Sequence, residues 1–252
     1  MAIAGQVTAA ALRAVREAAI PGVSLDHLNR LAHRVIVGAG CAPSFLGYHG
    51  YPASICASPN DVIVHGIPTD YRLTEGDILS IDAGAVHEGF HGDAAFTIAI
   101  GTCSQDAARL IAATERALWA GIRAVREGSR VGDIGAVVQA VGVSSGLGVV
   151  REYVGHGIGR QMHEEPQVPN YGVPGKGTKL RVGMALCIEP MFNLGTHETS
   201  LDADGWTVRT ADGSLSAHFE HTVALTPDGI KVTTLSDDER TRPDLVSVGV
   251  NG

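Results

Sequence analysis

At 252 residues, 44% hydrophobic and 18% charged, the chain is long enough to bury a full core as one large domain or two small ones. Its net charge of −8 comes without any basic cluster or stripe, which argues against a nucleic-acid partner. No charged-then-apolar leader opens the chain, no apolar run approaches the roughly 18 to 20 residues that span a bilayer, and Cys41, Cys56, Cys103 and Cys187 show no CxxC spacing, so a cytoplasmic protein with reduced thiols is expected, with no membrane partner.

Residues 5–19 carry Val7, Ala11, Ala14, Val15 and Ala18 at helical spacing before Pro21 and Gly22 stop the run. Ser24 then caps a second predicted helix with Asp26 in its first turn and Leu28, Leu31 and Val35 on one face. From residue 43 to 59 the periodicity gives way to Gly, Pro, Tyr and Cys, a composition suited to a pocket-lining loop, and residues 61–68 read as a short strand that delivers His65.

Residues 78–98 read as a β-hairpin, with apolar runs on either side of Val86, His87, Glu88 and Gly89. A two-residue loop at His87 and Glu88 would pair positions summing to 175 and set Asp82 directly opposite Asp93. Like charges facing across a ladder destabilise a sheet, and a divalent cation between them would neutralise both, carboxylate oxygens being hard ligands. Ser104 next caps a long predicted helix through Glu127, and Asp133 opens another. Beyond Gly142 the pattern is strands and loops, with a second predicted hairpin formed by residues 206–209 and 216–225 around an Asp212-Gly213 turn. Residues 236–252 are expected to be a polar, frayed tail.

The sequence also repeats itself. Gly76 to Asp82 aligns with Gly183 to Glu189, His65-Gly66-Ile67 recurs as His156-Gly157-Ile158, and His91-Gly92-Asp93 is echoed by His218-Phe219-Glu220. Each half begins with two helices. The simplest architecture is α+β: two α-α-β halves, about 1–102 and 103–235, related by a pseudo-twofold and sharing one curved antiparallel sheet with helices on its outer face. Four carboxylates and two histidines then converge on the axis. Their charge of −4 matches two divalent ions, and an oxygen-rich set with few imidazoles suits manganese, iron, cobalt, magnesium or zinc.

These residues resemble the type I methionine aminopeptidases, of the pita-bread fold and metallopeptidase family M24. The resemblance runs from about residue 12 to 234 and rests on Gly47-Tyr48-His49-Gly50-Tyr51-Pro52, Val64-His65-Gly66-Ile67-Pro68, Ser80-Ile81-Asp82-Ala83-Gly84, His91-Gly92-Asp93-Ala94, Gly155-His156-Gly157-Ile158-Gly159, His163-Glu164-Glu165-Pro166, Ile188-Glu189-Pro190 and Phe219-Glu220-His221-Thr222. It implies that Asp82, Asp93, His156, Glu189 and Glu220 hold two metal ions, with Asp93 and Glu220 bridging. It further implies that His65 and His163 contact substrate, that Glu189 shuttles a proton, and that Tyr48, Tyr51, Cys56, Met162 and Trp206 wall a methionine pocket. Met162 stands where the family usually carries phenylalanine, and His218 where it usually carries glutamine.

On this resemblance residues 1–235 form a single catalytic domain. It removes N-terminal methionine from peptides and nascent chains whose next residue is small, acting as a monomer in the cytoplasm with the ribosome as a candidate partner. Two other readings share the fold. A proline-specific peptidase would use the same five ligands, usually in a longer chain, and a non-enzymatic binding module would have lost them.

Overall fold

The computed structural model describes residues 1–241. In chain order, α1 (Ala2–Ala18) and α2 (Leu25–Gly38) precede β1 (Ala42–Pro43), β2 (Ile55–Pro59), β3 (Val62–Val64), β4 (Ile78–His87) and β5 (Phe90–Ala99). The second half repeats the plan with α3 (Gln105–Ala124) and α4 (Val131–Ser144), then β6 (Gly148–Val149), β7 (Gly155–Gly157), β8 (Glu164–Val168), β9 (Ala185–Ile188) and β10 (Met191–Asn193). The chain continues through β11 (Thr199–Leu201), β12 (Val208–Thr210), β13 (Ser216–His218), β14 (Glu220–Thr226), β15 (Gly229–Val232) and α5 (Asp237–Thr241).

The main antiparallel sheet runs β1-β4-β5-β14-β9-β7-β8, so the strands of one half meet those of the other where β5 pairs with β14. Helices α1 and α3 pack on the same outer face of this sheet. Along β4 and β5, Leu79, Ile81, Ala83, Ala94 and Phe96 enter the core beneath those helices. The intervening residues, Asp82, Asp93 and Ala95 among them, face the other side, as the period of two requires. Ser24 and Ser104 cap α2 and α3 as the sequence predicts, each accepting a hydrogen bond from the backbone N–H three residues on. Helix α3 stops at Ala124 rather than Glu127, and Asp133 sits three residues inside the start of α4, where its carboxylate accepts from Arg130 N–H at 2.7 Å.

Two strand pairings differ from the expectation. The first hairpin turns at Glu88 and Gly89, with His87 paired to Phe90, so paired positions sum to 177 and Asp82 lies opposite Ala95 while Asp93 lies opposite Gly84. The turn chemistry explains it: Glu88 and Gly89 have φ of 50° and 76°, and a two-residue turn with both central residues in the left-handed region favours glycine second. The slip is by two positions, so both aspartates still share a face, as diagonal neighbours. The second hairpin does not form. The chain does turn near Gly213, but β12 pairs with β11 and β3, whereas β13 pairs with β10. Residues 236–241, assigned on sequence to the tail, include α5, with Glu239 3.2 Å from His221 Nε2. The remainder of that tail lies outside the described residues.

Helix α1 reaches the sheet through two glycines. A Cβ added at Gly92 on β5 would stand 2.6 Å from Gly5 N and 2.8 Å from Gly5 Cα. Gly92→Ala should therefore push α1 off the sheet and cost about 1 to 3 kcal/mol in urea unfolding, the usual penalty of overpacking against backbone. A loss under about 0.5 kcal/mol, the level of an inert surface change, would show that the helix can retract freely.

Candidate active site

The register of the sheet brings the acids together. Cys56 pairs with Asp82, Asp82 with Ala95, and Ala95 with Glu220, which makes one row of side chains across β2, β4, β5 and β14 on the face away from the helices. Ile188 pairs with His221, so Glu189, the next residue after β9, falls beside Glu220 at the end of the same row. Asp93 is two residues before Ala95 on β5 and therefore points the same way. Its backbone is clipped by Thr222, whose hydroxyl accepts from Asp93 N–H at 2.9 Å and donates to Asp93 C=O at 2.8 Å. The small side chain of Ala95 leaves the middle of this acidic row open.

His156 comes from β7, on the far side of β9. Its Nδ1 lies 2.9 Å from the Gly157 carbonyl, an acceptor, so the ring hydrogen is on Nδ1 and the Nε2 lone pair is free to face the acids. Nε2 is 3.6 Å from Glu189 Oε1. One candidate ligand atom from each of Asp93, His156, Cys187 and Glu220 lies within 4.8 Å of all the others. Beside the acids, Phe45, Tyr51, Ala53, Cys56 and Met162 form an apolar cluster separate from the main core, with Tyr48, Ile67 and Trp206 packed against it. Tyr51 and Trp206 meet edge to face at 5.1 Å between ring centres.

All twelve residues to which the resemblance gives a site role line one cavity of about 110 Å³, and among the described residues Phe45 is the only further one lining it. A larger cavity of about 700 Å³ lies between α1 and α3 on the helix side of the sheet and contains none of the twelve. His65 follows β3 with φ of 60°, an uncommon backbone state for a non-glycine residue and one that concentrates at working sites. His163 stacks 4.2 Å from His156 between ring centres, and its Nδ1 is 2.8 Å from the Tyr48 hydroxyl.

Electrostatics set this cavity apart from the rest of the molecule. Burial, and then the other acids, hold the carboxyls of Asp82, Glu189 and Glu220 well above the ordinary range, while burial raises Asp93 to about 7 against hydrogen bonds that pull it down. Burial, and after it the neighbouring His163, lower His65 and His156 to about 4, so both rings are neutral at physiological pH. Asp82 Oδ1, Asp93 Oδ1 and Glu220 Oε1 are buried without any hydrogen-bond partner. Orphaned carboxylate oxygens beside a free imidazole nitrogen are what a divalent cation satisfies, so the residues fit a metal.

A family model described as Metallopeptidase family M24 matches residues 1–227. The chain belongs to this family. Among its M24 relatives, methionine aminopeptidase 1 of Mycobacterium tuberculosis (strain CDC 1551 / Oshkosh) is 52% identical over 242 residues, covering 93% of this chain and 91% of that one. Methionine aminopeptidase of Clostridium perfringens (strain 13 / Type A) is 46% identical over 232 residues, covering 92% and 93%. Among solved structures, methionine aminopeptidase from Thermotoga maritima superposes with a TM-score of 0.91 at 42% identity, over 93% of this chain and 94% of that one. Prolidase from Pyrococcus furiosus shares the fold at a TM-score of 0.77 and 20% identity, and this chain covers 63% of it. Among the described residues no helix is long and apolar enough to cross a membrane.

Phe45 belongs to the stretch 43–59 that the sequence offers as a pocket-lining loop, whereas sequence reasoning missed Thr222 and Cys187. Cys187 is two residues before Glu189 on β9, so the strand period alone places its thiol on the acidic face; burial, then Glu220 and Asp93, keep that thiol protonated. The raised carboxyls also set the pH response of the metal-free M24 chain. Raised folded-state pKa values mean that the folded chain keeps protons the unfolded chain has lost, and the stability they give disappears as pH rises through the folded values. His65 and His156 act in the opposite sense only below about pH 6.5, the unperturbed histidine value. The stability of the metal-free protein should therefore fall between about pH 6.5 and 8, by about 1.4 kcal/mol per pH unit for each proton retained, and its melting temperature should fall with it. Saturating divalent metal should abolish that fall. A flat or rising profile without metal, read by differential scanning fluorimetry, would refute the account.

Proposed function

We propose that this chain is a metal-dependent aminopeptidase that hydrolyses the N-terminal methionine from nascent proteins and peptides whose second residue is small. The observation that carries the reading is one cavity in which a partnerless acidic cluster meets an aromatic and thioether wall. On this reading residues 1–235 work as one catalytic unit, as a monomer in the cytoplasm, on methionyl peptides and nascent chains, with the ribosome as the place where the latter are met.

Asp82, Asp93, His156, Glu189 and Glu220 would hold two divalent ions. Two ions match the four carboxylates in charge, and the donor set accepts manganese, iron, cobalt, zinc or magnesium. Bound ions supply a water-derived nucleophile at neutral pH and positive charge opposite the developing oxyanion. The chain's own groups do the rest. Tyr48 O–H donates to His163 Nδ1, which leaves the hydrogen of that neutral ring on Nε2, free to donate to the scissile carbonyl. His65, neutral and half-buried against Tyr153 and Trp206, stands beside the scissile amide. Glu189 takes the proton from the attacking water and returns it to the leaving amine. Tyr51, Cys56, Met162 and Trp206 close around the methionine side chain and exclude water from it, with sulfur-to-ring contact adding to its binding.

The metal-loaded protein should release methionine from Met-Ala peptides, act far more slowly on Met-Lys peptides and leave Ala-Pro peptides intact. Absence of methionine release at full metal loading would overturn the reading, and cleavage of the Ala-Pro substrate would favour the proline-specific alternative. Within the site, Asp93→Ala and Glu220→Ala should each abolish turnover and lower metal content, because each removes a carboxylate from the cluster that would hold the ions. His65→Ala should keep its metal and lose about 10²- to 10⁴-fold in kcat, the range for a group assisting proton transfer. Metal analysis of the three variants separates the roles, and loss of metal from the His65 variant would reassign that ring as a ligand.

A further inference from the structure

Among the described residues six buried side-chain atoms lack a hydrogen-bond partner, and three of them belong to Asp82, Asp93 and Glu220. Trp119 Nε1 and Asn193 Oδ1 lie on helix α3 and on the three-stranded sheet of β10, away from the acids. The sixth is Nε2 of His218, and it points at the site: it is 3.6 Å from Glu189 Oε2. The ring is 2% exposed. Its backbone is pinned on both sides by Thr97, whose hydroxyl accepts from His218 N–H at 2.9 Å and donates to His218 C=O at 2.8 Å.

Glu189 thus lies between two imidazoles, with Oε1 toward His156 and Oε2 toward His218, each at 3.6 Å. The two rings are not equivalent. His156 gives its hydrogen to Gly157 and turns a lone pair toward the acids, whereas a second lone pair aimed at Glu189, once metal uptake has ionised it, would leave both groups unpaired. His218 also does not line the cavity, while His156 and Glu189 do, so it stands behind Glu189 and outside the space an ion or substrate would fill.

We propose that His218 is a positioning residue for Glu189, its Nε2–H donating to Oε2 so that Oε1 is turned to the metal position beside His156. The inference rests on the reading of Glu189 as ligand and proton carrier. Contacts of this kind are often long in the ligand-free state and tighten when the site fills. With Oε2 held, the carboxylate cannot swing both oxygens onto the metal positions, and one stays available to the proton it carries. Removing the donor should weaken metal binding and slow the chemical step while leaving the peptide pocket unchanged.

The test uses the full chain with His218→Leu and His218→Gln, the latter restoring an amide N–H of suitable reach. Co²⁺ affinity is measured by calorimetry, bound Co²⁺ by its visible absorption, and kcat and KM on a Met-Ala peptide. His218→Leu should weaken Co²⁺ binding or lower kcat by about 10- to 100-fold, the usual cost of losing a group that orients a ligand. KM should stay within about twofold, since the ring makes no uniform binding contact. His218→Gln should recover most of both losses and restore the parent Co²⁺ spectrum. Parent-like Co²⁺ affinity and kcat in the leucine variant would overturn the proposal. So would a loss of Co²⁺ binding that glutamine does not rescue, which would make the ring itself a ligand. If the leucine variant melts below the assay temperature without metal, His218→Asn, polar but one methylene too short to reach Glu189, takes its place with the same expected losses. A parent enzyme that binds Co²⁺ but releases no methionine would refute the proposed function and leave the affinity and spectral arms of this test intact.

Discussion

The structure turns on one constraint: four carboxyl groups share one face of a sheet whose other face is the hydrophobic core. Asp82, Glu220 and Glu189 lie along one row, with Ala95 as the small residue between the first two, and Asp93 stands one step along β5. The chain has no way to turn these groups outward. Rotating or slipping β5 by one residue would bring Ala94 and Phe96 to the acidic side and drive Asp93 and Ala95 under the helices. The remaining ways to relieve the repulsion are to take up protons or to take up cations, and the raised carboxyls show the first at work in the metal-free chain. Metal uptake, proton release and stability are therefore a single linked equilibrium.

Much of this was legible in the sequence because it depends on local periodicity. Alternation through residues 78–98 places Asp82 and Asp93 on one face whatever the turn, provided the slip is even, and so the mistaken turn at His87 and Glu88 altered their spacing without separating them. Some of the residues that line the cavity were readable for a related reason: His65 and Glu189 each follow a short strand and precede a glycine or proline that marks its edge. What could not be read is what depends on partners distant in sequence. The clip of Thr222 on Asp93 joins strands of the two halves, and the approach of Cys187 to Thr222 and of the His218 ring to Glu189 follows from strand placement within the second half that no turn signals. The second hairpin failed for the same reason, since Val208 finds Val64 and His218 finds Met191, and turn residues near Gly213 do not reveal either partner.

The two halves are equivalent at the sheet and unequal around it, and the inequality divides the work of the site. At the centre, β4 and β5 are matched by β9 and β14, and each pair contributes two acids. At the margin only the second half sends a strand across: β12 pairs with β3 and carries Trp206 against Tyr51 and toward His65. The wall that results packs as its own cluster, apart from the core that holds the acids in register. A change at Met162 or Trp206 therefore alters one wall of the cavity outside the main core that backs the acids. A change at Ala95 or Gly92 acts on the sheet instead, because Ala95 stands between Asp82 and Glu220 and Gly92 seats α1 on β5. The wall leans on a crossing strand and the acids on the axis of the sheet, and the two meet at Cys56, which packs in the wall and pairs with Asp82.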